Sequence, residues 1–227
     1  MKKLVLLIAS AMLAVPLCHA QNADDYKSFI KERKAMASFT REQMKAKVSK
    51  DAKKEAKRLA KEGWTVAPGA LPIERQLDRV YAMQYEQDMN TGFPKYIRGE
   101  AITVGENYDA AKMQATALSK IDLAGNIQTE VAALVETRVA NSQLEPEQAV
   151  SVSNSVMGAK NMISQSIGRT ISGLEVYRKL RNGNKEVRIL VFYNSEMAMS
   201  AAKKAVRADM EKKADKLVDQ LDKILGF

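Results

Sequence analysis

The chain contains one cysteine, Cys18, and one histidine, His19, and the two stand side by side in a stretch with the order of an export signal. Lys2 and Lys3 form a positive start, residues 4–15 are an apolar run and Pro16 breaks it. Cys18-His19-Ala20 then puts small residues at the −3 and −1 positions of a cleavage site. The expected cut falls between Ala20 and Gln21, which makes 1–20 a signal peptide. The apolar run is too short to span a bilayer, which takes ~20 residues. An alternative reading makes Cys18 a lipidated cysteine; Leu17 fits it poorly, because a lipobox carries a small residue there. After cleavage the remaining residues hold neither Cys nor His. No disulfide can staple such a chain and no zinc site built on Cys or His can nucleate it, so it must bury an ordinary apolar core. The same loss excludes Cys nucleophiles and Ser-His-Asp relays. Carboxylate, Lys and Tyr chemistry remain open, and no cofactor is implied.

Charge is unevenly placed. The chain is formally +9, and residues 21–63 carry thirteen Lys and Arg against seven Asp and Glu, whereas 64–227 carry 21 against 20. Within the basic segment Lys47, Lys50, Lys53, Lys54, Lys57, Arg58 and Lys61 recur at helical spacing on one face. Val48, Ala52, Ala56 and Leu59 fall on the opposite face, and Gly63 closes the helix. Two readings of the basic face stand side by side. It is a contact surface for anionic envelope polymers (lipopolysaccharide, acidic glycan) or anionic lipid headgroups, or it is a solvated face that keeps the helix soluble. Nucleic acid is excluded as a partner by export and by the absence of aromatic residues from this face.

The pattern along the rest of the chain divides it near residue 92. Residues 22–62 read as one long helix or two, followed by an extended Trp64-Thr65-Val66 and a helix over 73–89 with Leu77, Val80 (or Tyr81) and Gln84 in register. The helical N-terminal region is thus 21–91, and 92–227 is the second region. Residues 96–104 read as a strand, with Gly99 marking a bulge or a close approach. Asn107 or Asp109 caps the next helix, whose packing stripe is expected at Ala110, Met113, Ala117, Ile121, Ala124, Gln128, Val131 and Val135. Glu145-Pro146-Glu147 starts another helix running to about 167. Two strands follow, one around Leu174, Val176, Tyr177 and Leu180 and one around Val187, Ile189, Val191 and Tyr193, joined at Arg181-Asn182-Gly183-Asn184 by an expected type I′ turn. Asn194 or Ser195 caps the last helix, with a stripe at Met199, Ala202, Val206, Met210, Leu217, Leu221 and Ile224. The fold class is α+β: a small antiparallel or mixed sheet covered by long helices on one face, with the basic helix as an N-terminal arm.

Residues 96–194 resemble the Lpp-twenty envelope lipoprotein family, and more distantly the N-terminal domain of flagellar assembly protein T. Gly99 and Gly105 at the strand, Ala110, Ala111, Ala115, Ala117 and Ala124 on the helix, and the hairpin at Asn182-Gly183 carry the resemblance. It implies an envelope-associated structural or binding protein and brings no catalytic residue. The basic helix lies outside the family pattern.

Candidate chemistry is sparse. Ser-x-x-Lys occurs at Ser28–Lys31 and Ser200–Lys203, but 14 Ser and 24 Lys produce about 1.5 such matches by chance, and the companion elements are missing. The acids Glu130 and Glu136 do not share a helix face, and Asp24, Asp25, Glu145 and Glu147 stand at helix starts, where acids belong anyway. Arg169 sits at a helix-to-strand junction, as an anion contact or a cap. Arg178, Lys179, Arg181, Lys185 and Arg188 gather at the hairpin, with Glu175 and Glu186 placed to offset them. The expectation is a non-enzymatic protein, exported to the periplasm or cell surface, acting in structural association or in docking to an envelope protein, self-association included. The alternatives are a binding module for anionic envelope polymers and a carboxylate-dependent hydrolase.

Overall fold

In the computed structural model the alternating stretches become three strands, β1 (Tyr96–Gly105), β2 (Ile171–Lys179) and β3 (Lys185–Asn194). Six helices accompany them: α1 (Lys50–Lys61), α2 (Ile73–Tyr85), α3 (Tyr108–Ala140), α4 (Pro146–Gly158), α5 (Lys160–Ser166) and α6 (Ser195–Lys212). The structure describes residues 46–89, 94–140 and 145–213, together with Lys31, Lys34, Val218 and Leu221. The chain forms two units, Met1–Lys47 and Val48–Phe227. In the first, Lys31 and Lys34 are helical and exposed; Cys18, Ala20 and Gln21 lie outside the described residues.

The second unit is built on an antiparallel sheet in the order β1-β3-β2. Tyr96 pairs with Asn194 and Gly105 with Lys185 along β1–β3, while Leu174 pairs with Leu190 and Lys179 with Lys185 along β2–β3. The central strand β3 is buried on both faces, which explains its nearly unbroken apolar run over 187–193. On one face Ile97, Val187, Ile189, Val191 and Tyr193 pack against α3 to α6. On the other Leu174, Val176, Leu190 and Phe192 meet Ala52, Leu59, Trp64, Leu77, Val80 and Met83. Helices therefore cover both faces, not the one expected. Residues 48–89, read from sequence as part of an N-terminal region, complete the sheet's core, and α1 is docked on that core.

Of the one helix or two expected over 22–62, the described part has residues 46–49 non-helical, and α1 begins at its own cap. Three local expectations need correction. The stripe of α3 is shifted over its first half: Ala111, Ala115, Ser119, Leu123 and Ile127 are fully buried, whereas Met113 is 71% exposed and Ile121 44%. The reason is the strand beneath. A Cβ on Gly99 would stand 2.2 Å from the Ser119 carbonyl oxygen, and one on Gly105 2.7 Å from the Ala111 nitrogen. Only small residues let helix and strand approach so closely, and the larger Met113 and Ile121 are turned outward. The expected helix to 167 divides at buried Ala159, and Gln128 of α3 donates to the carbonyls of Val156 and Met157, both at 3.0 Å. Finally, the β2–β3 turn is not type I′. The Leu180 carbonyl accepts from the Gly183 N–H at 3.0 Å and its N–H donates to the Asn184 carbonyl at 2.9 Å. That leaves a three-residue loop in which Gly183, at φ +90°, takes the left-handed position.

Candidate anion-binding face

The basic row is carried by a helix fixed at both ends. Ser49 caps it: its hydroxyl accepts from the Ala52 N–H at 3.3 Å, and its own N–H donates to Asp78 Oδ1 on α2 at 2.9 Å. The Ser49 hydroxyl, and after it that backbone bond, hold the Asp78 carboxyl below its ordinary range. Asp51 in the first turn and Arg58 and Lys61 in the last turn match the helix dipole. At the other end Gly63, at φ +87°, donates to the Ala60 carbonyl at 3.1 Å and Trp64 to the Leu59 carbonyl at 3.0 Å, the Schellman pattern with its apolar contact. Arg178 from β2 locks this end. Its guanidinium lies 4.6 Å from the Trp64 ring centroid, donates to the Glu62 carbonyl at 3.2 Å and pairs with Glu186 across the hairpin. Between the ends Ala52, Ala56 and Leu59 face the core, as their spacing predicts.

That docking turns Lys50, Lys53, Lys54, Lys57 and Lys61 outward, all exposed. At 100° per residue the five fall within an arc of roughly 100°, and at 1.5 Å rise they extend over ~16 Å. None makes an ion pair with a described carboxylate. The other two residues of the expected row differ. Arg58 is taken by its own helix, donating to Glu55 at 2.8 Å and pairing with Glu62, and it holds the Glu55 carboxyl below the usual range. Lys47 is exposed and belongs to the other unit. Beside the row, Asp51, Lys54, Glu55, Lys57, Arg58, Lys61 and Tyr81 of α2 line a groove of about 560 Å³. Burial, then the charges of Glu55 and Asp51, push the Tyr81 phenol up, so it stays a neutral donor.

The remaining candidates are dispersed. Ser200 is exposed on α6 and Lys203 is half-buried with a partner of its own; Ser28, Asp24 and Asp25 lie outside the described residues. Glu130 and Glu136 are exposed on α3, and Glu145 forms a capping box with Gln148. Arg169 is exposed beyond the end of α5. The hairpin acids divide their work. Glu186 pairs with Arg178, but Glu175 turns to α3, where it accepts from Tyr108 and from Lys112 Nζ at 2.6 Å, and Arg188 instead finds Glu100 of β1. Glu175 keeps Lys112 protonated, while burial and the same carboxylate raise the Tyr108 phenol. The trio is a tie between α3 and β2, with no activated nucleophile. Among the described residues no three His, Cys, Asp or Glu side chains are placed to share a metal ion, and no helix is long and apolar enough to cross a membrane. No protein-family model matches the chain, and neither a curated protein nor a solved structure matches it.

Proposed function

We propose that this chain is a non-enzymatic exported protein of the cell envelope that acts by docking, and that the lysine row of α1 is its contact with an anionic envelope polymer. One observation carries the reading: five ammonium groups, unpaired with any described carboxylate, are held in line on a helix immobilised along its back and at both ends. Immobilisation matters because the backbone that spaces the row is already ordered, so that only side-chain freedom is lost on binding. A linear array of cations matches a polymer with repeating anions, such as the phosphates of lipopolysaccharide or the carboxylates of an acidic glycan. The export order of residues 1–20 and the resemblance of 96–194 to the Lpp-twenty family support the location. Magnitude limits the mode of binding. At ~1 kcal/mol per cation near an anionic surface, five lysines supply about 5 kcal/mol, a dissociation constant of roughly 0.2 mM. Contact through one row is therefore weak and reversible, and tight attachment requires several rows at once.

The test is retention of the full chain on immobilised lipopolysaccharide, acidic glycan, neutral glycan and anionic vesicles at about 50 mM salt. Retention on at least one polyanion and none on the neutral glycan is expected, lost by ~0.3 M salt as charges are screened. Equal retention on neutral glycan, or insensitivity to salt, would refute the reading; retention on vesicles alone would move the partner to lipid headgroups.

A further inference from the structure

An open three-stranded sheet has two edges, and an uncovered edge is a template for another strand. Part of each edge here is covered by described residues. On β2, Thr65 exchanges two backbone bonds of 2.8 Å with Tyr177, and Gln76 Oε1 accepts from the Glu175 N–H at 2.7 Å. On the first half of β1, Asp122 Oδ2 accepts from the Glu100 N–H at 2.9 Å and Asn126 Nδ2 donates to the Arg98 carbonyl at 2.9 Å. Those two bonds also establish which way β1 is turned: its even-numbered residues direct their backbone groups outward and its odd-numbered ones bond to β3.

The next outward residues are Ile102 and Val104. The α3 row that covers the edge steps back from Asn126 and Asp122 to Leu118 and Gln114, one turn at a time. Leu118 has no polar group to offer. No described side chain bonds the outward backbone groups of Ile102 and Val104, whose side chains are 51% and 44% exposed, and Leu118 is 47% exposed. The result is a short open edge with apolar residues on both sides of it.

We propose that a second copy of this chain pairs here, β1 against β1, antiparallel about a two-fold axis at Thr103, to give one continuous six-stranded sheet. The edge is complementary to itself. In this register Ile102 lies opposite Val104 of the second copy and the reverse, so that the two outward residues of each strand exchange four backbone hydrogen bonds. Charge fits the same register. Exposed Arg98, whose guanidinium is held among the described residues by a 3.4 Å bond to Gln84, comes diagonal to exposed Glu106 of the second copy, twice by symmetry. Glu100, which falls across from that Glu106, is already neutralised by Arg188. The inference does not depend on the lysine row.

Two measurements test it. Ile102→Cys and Val104→Cys are made separately on a full chain carrying Cys18→Ser and then oxidised. Directly opposed residues meet disulfide geometry, whereas residue 102 against 102 is displaced by two positions and does not. The mixture is expected to crosslink at least tenfold more than either variant alone. Equilibrium sedimentation of the unmodified chain is expected to approach twice 25.2 kDa at high micromolar concentration, and to return to 25.2 kDa in Ile102→Lys/Val104→Lys. Both positions are half-exposed, so far-UV circular dichroism of that variant is expected to be unchanged. A monomer at about 0.5 mM, a dimer that survives the lysine pair, or equal crosslinking of single variants and mixture would overturn the proposal.

Discussion

Gly99→Ala tests the packing on which the rest of the fold depends. The added Cβ would lie 2.2 Å from the Ser119 carbonyl oxygen and 2.5 Å from Leu123 Cβ. Neither contact is the free end of a flexible side chain; both belong to the helix itself, so α3 must rise by about 1 Å from β1. That movement loosens Ala111, Ala115, Leu123 and Ile127 together, since one rigid helix carries them all. Overpacking of this kind costs typically 1–3 kcal/mol, and here the obstacle is backbone. Against it stands a gain of ~0.4–1 kcal/mol from the stiffer unfolded chain. Taken at the upper end of that range, the expected net loss is about 2–2.6 kcal/mol, a fall in melting temperature of roughly 4–10 °C for a unit of this size. Gly125→Ala is the control. It lies in α3, and its Cβ would meet only the flexible end of Lys160, Nζ at 3.4 Å and Cε at 3.5 Å, so a gain of ~0.5–1 kcal/mol is expected. Urea unfolding followed by far-UV circular dichroism reads both. A Gly99→Ala change within 0.5 kcal/mol of zero would refute the close approach of α3 to β1.

Leu59→Ala empties a site that is 1% exposed and should cost about 2–5 kcal/mol in the same assay; it should also weaken polyanion retention with every lysine still present, because the row loses its backing. Asp78 has a depressed carboxyl, so its contribution to stability is full above the unfolded value near 3.9 and disappears as pH falls through its lower folded value. Unfolding measured from about pH 5 to 2 should therefore show a shallower acid limb in Asp78→Asn than in the unmodified chain, and parallel limbs would count against the Ser49–Asp78 tie. Arg178→Gln removes the stacking on Trp64 and the bond to the Glu62 carbonyl; hydrogen exchange should quicken at the end of α1, by about tenfold for ~1.4 kcal/mol, and not at its capped start.

Much of this architecture is written in residue spacing. The three strands, the cap at Asn194 (whose side chain accepts from the Met197 N–H at 3.0 Å), the division of α1 into a lysine face and an alanine face, and the glycine at its end are all local patterns. The errors arose where the local signal was weaker than a distant one. On α3 two stripes compete, and Met113 and Ile121 make the more apolar one. The strand selected the other, because the bare backbone of Gly99 lies against Ser119 and Leu123 and that of Gly105 against Ala111. The alternation of β1 did not reveal that its second face would be covered by residues 48–89, since that cover is made of short segments far away in sequence. In the basic row, the i,i+3 and i,i+4 spacing of Glu55 and Glu62 to Arg58 was the signal that separates this residue from the five lysines. The open edge at Ile102 and Val104 was hidden: it exists because α3 offers Asp122 and Asn126 at one end of β1 and Leu118 at the other, a relation between two elements.

The lysine row is tested most directly by the salt dependence of polyanion affinity in the unmodified chain and in Lys50→Gln/Lys53→Gln/Lys54→Gln/Lys57→Gln/Lys61→Gln. With ~1 kcal/mol per cation, each lysine removed should weaken binding by about fivefold, and the fivefold-substituted chain should lose both the affinity and its slope against salt while keeping its melting temperature within a few degrees. If that chain binds the polymer as tightly as the unmodified one, with the same salt slope, the lysine row is only a solvated face and the proposed function is wrong.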